Sequence, residues 1–185
     1  MSESSSANWR VDPAALAALV AAVRDVPDFP KKGILFKDIT PVLSDAALYR
    51  RVLDWFGEAA KGAGADVVVG IESRGFLFGT PLVDRLDVGF VPVRKPGKLP
   101  WETISVDYTL EYGEGRLEMH TDVIKPGTRV VVVDDLLATG GTARATVDLV
   151  RRLGGEVTAC VFLVELGFLG GREHLDCPVE ALVRY

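Results

Sequence analysis

The sequence predicts a single α/β domain, in which a doubly wound, mainly parallel sheet carries helices on both faces and a flexible β-hairpin hood. Three observations predict this fold. Strand-like and helix-like segments alternate, several strands are continuously apolar as in sheets buried on both faces, and one Pro- and Gly-rich segment interrupts the alternation. The chain has 185 residues, 48% of them hydrophobic, which suits one domain with a sizeable core. We expect residues 1–9 to form a disordered tail and 10–185 to form the domain.

Caps, chain breakers and periodicity define the elements in order. Helices are predicted over residues 12–24, 44–61 and 142–153, the second of them capped by Ser44, and a further helix follows Gly75. Apolar strands are predicted over residues 66–71, 88–93, 129–133 and 157–164. Residues 28–41 are expected to form a loop around one short strand, which we call the leader loop. Alternating apolar residues within 95–116 predict a solvent-facing, mobile hairpin, which we call the hood.

Charge and composition exclude several classes of protein. A net charge of -5 argues against a nucleic-acid backbone as the main partner. The longest apolar run, residues 14–23, is shorter than the roughly 18 residues that suggest a membrane span. The Ser-rich leader lacks the basic region of a secretory signal, so a cytoplasmic location is expected. Cys160 and Cys177 have no cysteine or histidine close by in the sequence and are expected to be buried or incidental thiols in a reducing compartment.

The most informative segment is VVVVDDLLATGGT, residues 130–142, in which an apolar strand leads through two acids and a Gly-rich turn into a helix. The glycines allow successive amides to converge on an anion at a helix N-terminus, and the threonines add hydroxyl donors. Asp134 and Asp135, expected at the strand end outside the core, suit the paired hydroxyls of a ribose or a sugar-bound Mg²⁺. An ordinary helix-capping turn would explain neither the acid pair nor both glycines. The phosphate motifs of P-loop NTPases and dinucleotide-binding dehydrogenases are absent.

This segment resembles the signature of the type I phosphoribosyltransferases. The resemblance implies the fold of that family and two sets of contacts with phosphoribosyl pyrophosphate. Asp134 and Asp135 would contact its ribose hydroxyls, and the turn would bind its 5′-phosphate through Ala138, Thr139, Gly140, Gly141 and Thr142.

The leader loop, FPKKGILFKDITP, is similar to the base-binding leader of the adenine phosphoribosyltransferases within that family. The resemblance implies that Phe36 stacks on the purine and that backbone groups around Leu35 read the edge of adenine, whose exocyclic amine donates where hypoxanthine and guanine accept. Lys37 stands where the family more often has arginine.

Two further segments resemble the same family. Ser73 and Arg74, in ESRGF, look like its pyrophosphate loop, and a guanidinium fork suits phosphate. More positive charge follows the next strand at Arg94, Lys95 and Lys98. The hood contains YTLEYG, similar to the family's catalytic hood. There Glu111 would handle a proton on the purine ring, and Tyr112 would brace the pyrophosphate or the closed hood.

The resemblance therefore implies a pentosyltransferase of purine salvage that forms AMP and pyrophosphate from adenine and phosphoribosyl pyrophosphate. It also implies a homodimer and a need for Mg²⁺. We assign no direct metal ligand and expect the ion to be held mainly through the substrate, near Asp134 and Asp135. His120 and His174 lack metal-ligand spacing and receive no chemical role.

Two alternatives stay open. The first is an enzyme of the same fold that acts on xanthine or another purine. The second is a non-catalytic, purine-sensing regulator. The regulator would require a DNA-binding domain, and the segment before Asp28 is short and poor in basic residues.

Overall fold

A computed structural model describes residues 12–110 and 113–185. The chain divides into two compact units, one through Trp55 and one from Phe56 to Tyr185. The predicted tail at residues 1–9 lies outside the described residues, and a single domain over 10–185 remains a prediction.

The first unit contains two helices, a small two-stranded sheet and the start of a third helix. Its elements are α1 (Pro13–Ala22), β1 (Arg24–Pro27), β2 (Leu35–Asp38), α2 (Thr40–Ser44) and α3 (Ala46–Gly62), the last of which continues into the second unit. Strands β1 and β2 pair antiparallel, with Pro27 opposite Leu35. The prediction that the first helix continues to Arg24 is wrong, because Arg24 already pairs with Asp38 in this sheet.

Helix α3 begins one residue later than the Ser44 cap predicts. The Asp45 carboxylate accepts the amides of Ala47 at 2.8 Å and Leu48 at 3.0 Å, so Asp45 satisfies the first orphan donors of the helix. Both residue types are good caps, and only the geometry distinguishes them.

The second unit is built on a five-stranded, all-parallel sheet in the order β4-β3-β7-β8-β9. Its elements are β3 (Val67–Ile71), α4 (Arg74–Leu86), β4 (Gly89–Val93), β5 (Thr103–Leu110), β6 (Gly113–His120), β7 (Arg129–Leu137), α5 (Gly141–Arg152), β8 (Glu156–Glu165) and β9 (Val179–Arg184). Two short 3₁₀ helices, Gly167–Leu169 and Gly171–His174, join β8 to β9.

The order of strands reverses between β3 and β7. From β3 the chain crosses through α4 to β4 on one side, and from β7 it crosses through α5 to β8 on the other. Right-handed crossovers in opposite directions place α4 and α5 on opposite faces of the sheet. The predicted doubly wound α/β fold is therefore confirmed, and the crevice at the carboxyl ends of β3 and β7 is where such folds bind ligands.

The apolar strands form the core of this unit as their sequences predict. Residues Val130, Val131, Val132 and Val133 are all completely buried, as expected of a central strand covered on both faces. Strand β9 was not predicted. Glu180 and Arg184 interrupt its apolar pattern, as is common at the edge of a sheet.

The base of the hood belongs to the core. Strands β5 and β6 pair antiparallel, and their inward side chains Val106, Leu117 and Met119 are buried in the main hydrophobic cluster. The predicted hairpin is confirmed, but the expectation of a solvent-facing arm is wrong for this part, because its apolar alternation faces the core.

The two cysteines are free thiols, as the sequence predicts, yet they lie close together. Strand β8 and the turn before β9 bring the Sγ atoms of Cys160 and Cys177 to 3.6 Å, and both thiols are free. The pairing of β8 with β9 brings these two cysteines together although they are distant in the sequence. Among the described residues, no helix is both long and apolar enough to cross a membrane.

Candidate active site

Two turns meet at the carboxyl ends of β3 and β7. The first leads into α4 at Arg74 and the second into α5 at Gly141, and the strands pair directly, with Gly70 opposite Val133. A cavity of about 340 Å³ opens between these turns and the hood. Its lining includes most of the predicted sugar-phosphate residues, namely Ser73, Arg74, Lys95, Asp134, Asp135, Ala138, Thr139, Gly140 and Thr142, together with Glu72, Tyr108, Leu117, Leu136, Leu137 and Ala143. Topology therefore assembles in one place residues that are up to about seventy positions apart.

The acid pair lies within β7 and not beyond its end. Strand β7 continues to Leu137, and Asp135 is only 3% exposed. The Asp135 amide donates to Asp134 Oδ1 at 2.9 Å, and Arg74 Nε lies 3.0 Å from Asp135 Oδ2. The prediction that both acids lie outside the core is wrong for Asp135, because the hydrogen-bond ladder to β8 continues past Val133.

Burial makes ionisation of this pair costly. Burial raises the pKa of Asp134 well above its ordinary value, and the neighbouring Asp135 carboxylate raises it further. Burial also raises the pKa of Asp135, against the opposing effect of Arg74. Donors and cations that enter the cavity would relieve this cost, since they stabilise the ionised form. The site is therefore suited to a ligand with hydroxyl groups or a bound cation.

The Gly-rich turn has the backbone that an anion site requires. Gly140 adopts φ +84° immediately before α5, a conformation open mainly to glycine. The 3₁₀ helix Gly171–His174 packs against the turn so closely that a Cβ on Gly171 would lie 2.1 Å from the Ala138 carbonyl oxygen. The turn is thus held by the chain connecting β8 to β9, a contact that the sequence did not reveal.

Glu72 organises the basic residues, although the sequence analysis gave it no role. Its carboxylate accepts from Arg94 Nε at 3.1 Å and from the Lys95 amide at 3.0 Å. Burial opposes ionisation of Glu72, but these hydrogen bonds lower the pKa of its carboxyl below the ordinary value. Arg94 also donates to the Lys98 carbonyl at 3.0 Å. Lys95 lines the cavity, whereas Arg94 and Lys98 are not among its lining residues.

Tyr108 is a second residue that the sequence analysis did not select. It lies on β5, its hydroxyl hydrogen-bonds the side chain of Thr142, and its ring covers Gly115 on β6. Burial raises the pKa of the Tyr108 hydroxyl, so the phenol stays neutral at physiological pH. Tyr108 thereby connects the hood to the turn predicted to bind phosphate. The predicted residues Glu111 and Tyr112 lie outside the described residues.

The predicted base-binding residues lie in the first unit. The rings of Phe29 and Phe36 make an edge-to-face contact at 5.1 Å, and Phe29 and Leu35 are both about half exposed. This apolar surface is available to a flat ligand. Lys37 Nζ lies 2.5 Å from Asp25 Oδ1, so its charge is engaged within the small sheet.

The side chains of the cavity determine how a metal ion could be held there. Among the described residues, no three His, Cys, Asp or Glu side chains cluster as a metal site. Within the part of the chain that the structure describes, the buried Asp135 Oδ2 has no aligned hydrogen-bond donor, although Arg74 is close. Oxygen donors of this kind fit a hard cation that takes most of its ligands from a substrate.

Comparisons with known proteins agree with this geometry. The phosphoribosyl transferase domain family matches residues 43–174. The chain is 61% identical over 169 residues to an adenine phosphoribosyltransferase of Anaeromyxobacter dehalogenans, covering 91% of this chain and 98% of that protein. The chain therefore belongs to the phosphoribosyltransferase family, and within it to the adenine phosphoribosyltransferases.

Solved structures extend the comparison. The adenine phosphoribosyltransferase of Thermoanaerobacter pseudethanolicus superposes with a TM-score of 0.89 at 53% identity, over 92% of this chain and 99% of that one. The enzyme of Saccharomyces cerevisiae, solved with adenine and an imino-altritol bisphosphate, superposes with a TM-score of 0.87 at 42% identity, over 91% of this chain and 98% of that one.

Proposed function

We propose that this protein is a pentosyltransferase that joins adenine to 5-phosphoribosyl 1-pyrophosphate, giving AMP and pyrophosphate in purine salvage. One observation carries the proposal. A single cavity holds the acid pair, the Gly-rich turn at the start of α5 and the Arg74 turn. The high identity to adenine phosphoribosyltransferases supports adenine as the base.

The sugar and its 5′-phosphate suit the β7 side of the cavity. Asp134 and Asp135 can accept hydrogen bonds from the two ribose hydroxyls, and among the described residues Asp135 Oδ2 has no aligned donor of its own. The amides and hydroxyls of Ala138 to Thr142 would hold the 5′-phosphate at the N-terminus of α5, where the helix dipole favours an anion.

The leaving pyrophosphate suits the β3 side. Ser73, Arg74 and Lys95 line the cavity there, and Glu72 holds the Lys95 amide and the Arg94 guanidinium in place. Arg74 lies against Asp135, the residue assigned to the ribose, and also lines the side assigned to the pyrophosphate. The same guanidinium can therefore interact with charge on either part of the substrate. We assign Arg74 the role of stabilising the departing group.

Proton handling at the purine ring is assigned to Glu111. The adenine nitrogen attacks an oxocarbenium-like C1 as pyrophosphate departs, and an acceptor for the imidazole proton lowers the barrier. Glu111 and Tyr112 follow Tyr108 on the hood, whose base is anchored in the core. Closure of the hood would keep water from the activated sugar.

We also propose that Mg²⁺ accompanies phosphoribosyl pyrophosphate, near Asp134 and Asp135. When bound, the ion would neutralise charge on the pyrophosphate oxygens. A cytoplasmic location and a homodimeric state are proposed from the family resemblance.

The base specificity can be tested by competition. Adenine, hypoxanthine, guanine and xanthine would be offered together with phosphoribosyl pyrophosphate, and the nucleotides separated by chromatography. We expect AMP to be the main product. Groups that accept a hydrogen bond from the adenine amine would leave the carbonyl of a competing purine without a donor. Preferential formation of xanthosine monophosphate would favour the alternative purine enzyme. Tight binding of purines or phosphoribosyl pyrophosphate without any turnover would favour a regulator.

A further inference from the structure

The 3₁₀ helix Gly171–His174 packs against the turn that is predicted to bind phosphate. Besides the close approach of Gly171, a hydrogen bond joins the two segments, since His174 Nδ1 lies 2.9 Å from the Thr139 carbonyl oxygen. The segment is anchored in turn by α5, because Arg144 Nη1 donates to the His174 carbonyl at 3.3 Å. The Arg144 backbone amide also donates to the Gly140 carbonyl at 2.8 Å.

The identity of the bonded atoms determines the tautomer. A carbonyl oxygen can only accept, so Nδ1 of His174 must carry a proton and donate. The Thr139 carbonyl and the Gly140 N–H belong to one planar peptide unit. A donor that holds the carbonyl therefore also sets the direction of that N–H, which is one of the amides predicted to bind the 5′-phosphate.

We propose that His174 is a positioning residue for the sugar-phosphate substrate, which it serves by holding the Thr139–Gly140 peptide in its binding orientation. This inference rests on the proposed function. His174 is not among the residues that line the cavity of about 340 Å³, although it lines an adjoining cavity together with Thr139 and Gly141. Its hydrogen bond to the Thr139 carbonyl is the contact through which it acts on the turn. A turn that is already ordered loses less conformational freedom when the phosphate binds.

The 5′-phosphate is remote from the bond that forms and breaks. We take its contacts to be equally strong in the ground state and the transition state, and their loss should then raise KM and leave kcat unchanged. The hydrogen bond is solvent-exposed. Its removal should therefore raise the KM for phosphoribosyl pyrophosphate by about 3- to 10-fold.

Two amide side chains provide a matched test of the donor. In asparagine the amide nitrogen is attached to Cγ, as Nδ1 is in histidine, whereas in glutamine the amide nitrogen lies closer to the position of Nε2. His174→Asn should therefore restore the KM that His174→Ala raises, and His174→Gln should not. Glu173→Gln is the control, because Glu173 is the preceding exposed residue of the same 3₁₀ helix and, among the described residues, no hydrogen bond or ion pair joins its side chain to the turn.

The experiment measures steady-state kinetics on the full chain and its four variants, with AMP and adenine affinities from calorimetry. We expect His174→Ala to weaken AMP and phosphoribosyl pyrophosphate alike, while kcat and adenine affinity stay within about twofold. Unchanged KM in His174→Ala, equal rescue by both amides, or a fall in kcat with unchanged KM would overturn the inference. Melting temperatures identify any variant that fails to fold. If His174→Ala does not fold, the difference in KM between His174→Asn and His174→Gln still tests the inference. Absence of turnover in the wild-type protein would refute the proposed function instead.

Discussion

Replacing Gly171 with alanine tests whether the packing behind the phosphate turn matters for activity. The new Cβ would lie 2.1 Å from the Ala138 carbonyl oxygen and 2.9 Å from the Gly140 nitrogen. An ordinary carbon–oxygen contact is about 3.3 Å or longer, so the turn must retreat by about 1 Å. Gly171 does not adopt a left-handed φ, and the substitution therefore adds a steric clash without backbone strain.

A displacement of about 1 Å in a substrate-positioning group can lower activity by roughly 10²-fold. The same overpacking should destabilise the fold by about 1–3 kcal/mol, which lowers the melting temperature by several degrees and leaves the protein folded at 25 °C. Steady-state kcat/KM for phosphoribosyl pyrophosphate and a thermal melt would measure both effects. The control is Gly89→Ala, where the nearest atom would be 3.9 Å away. A Gly171→Ala enzyme with kcat/KM within threefold of wild type would refute the reasoning.

Three further predictions concern charged groups in the proposed reaction. Asp134→Asn should reduce activity severely yet raise the melting temperature at pH 7.5, because the folded-state pKa of Asp134 is raised and its ionisation costs stability. This gain in melting temperature should disappear below about pH 3.9, where the Asp134 carboxyl is protonated in both the folded and the unfolded state. A melting temperature of the variant at pH 7.5 that is equal to or lower than that of the wild type would contradict the prediction. Glu111→Gln should lower kcat by roughly 10²-fold with little change in adenine affinity, whereas wild-type kinetics would mark a surface acid. Excess chelator should abolish turnover and added Mg²⁺ should restore it, so full activity in chelator would exclude the proposed cation.

The sequence predicted the sheet and its active edge because those features have strong local signals. Four consecutive valines before the acid pair can only be a buried strand or a buried helix segment, and the Gly-rich turn decides for the strand. Alternation with helices then predicts parallel pairing, which brings Asp135 and Arg74 to one edge of the sheet.

The sequence could not show where β7 ends. The acids interrupt the apolar run, which normally indicates exposure, yet pairing with β8 continues past them and buries Asp135. Arg74 offsets part of the cost of that burial, and its position depends on the contact between β3 and β7. An interaction between turns that lie about sixty residues apart leaves no local pattern.

The supporting residues were missed for the same reason. Glu72 follows its strand as any turn acid would, and only the structure places Arg94 and the Lys95 amide against it. Likewise His174 has no motif, because its role depends on the 3₁₀ helix that returns to the phosphate turn. Tyr108 did carry a signal, since an aromatic residue that alternates with core residues on a hairpin points inward.

The most direct test of the account is the formation of AMP and pyrophosphate by the purified protein. The protein would be incubated with isotope-labelled adenine, phosphoribosyl pyrophosphate and Mg²⁺, and both products would be quantified over time. We predict that labelled AMP and pyrophosphate appear in equal amounts, and only when both substrates are present. Pyrophosphate release without AMP, or no conversion of adenine at all, would contradict the assignment of the cavity to phosphoribosyl transfer.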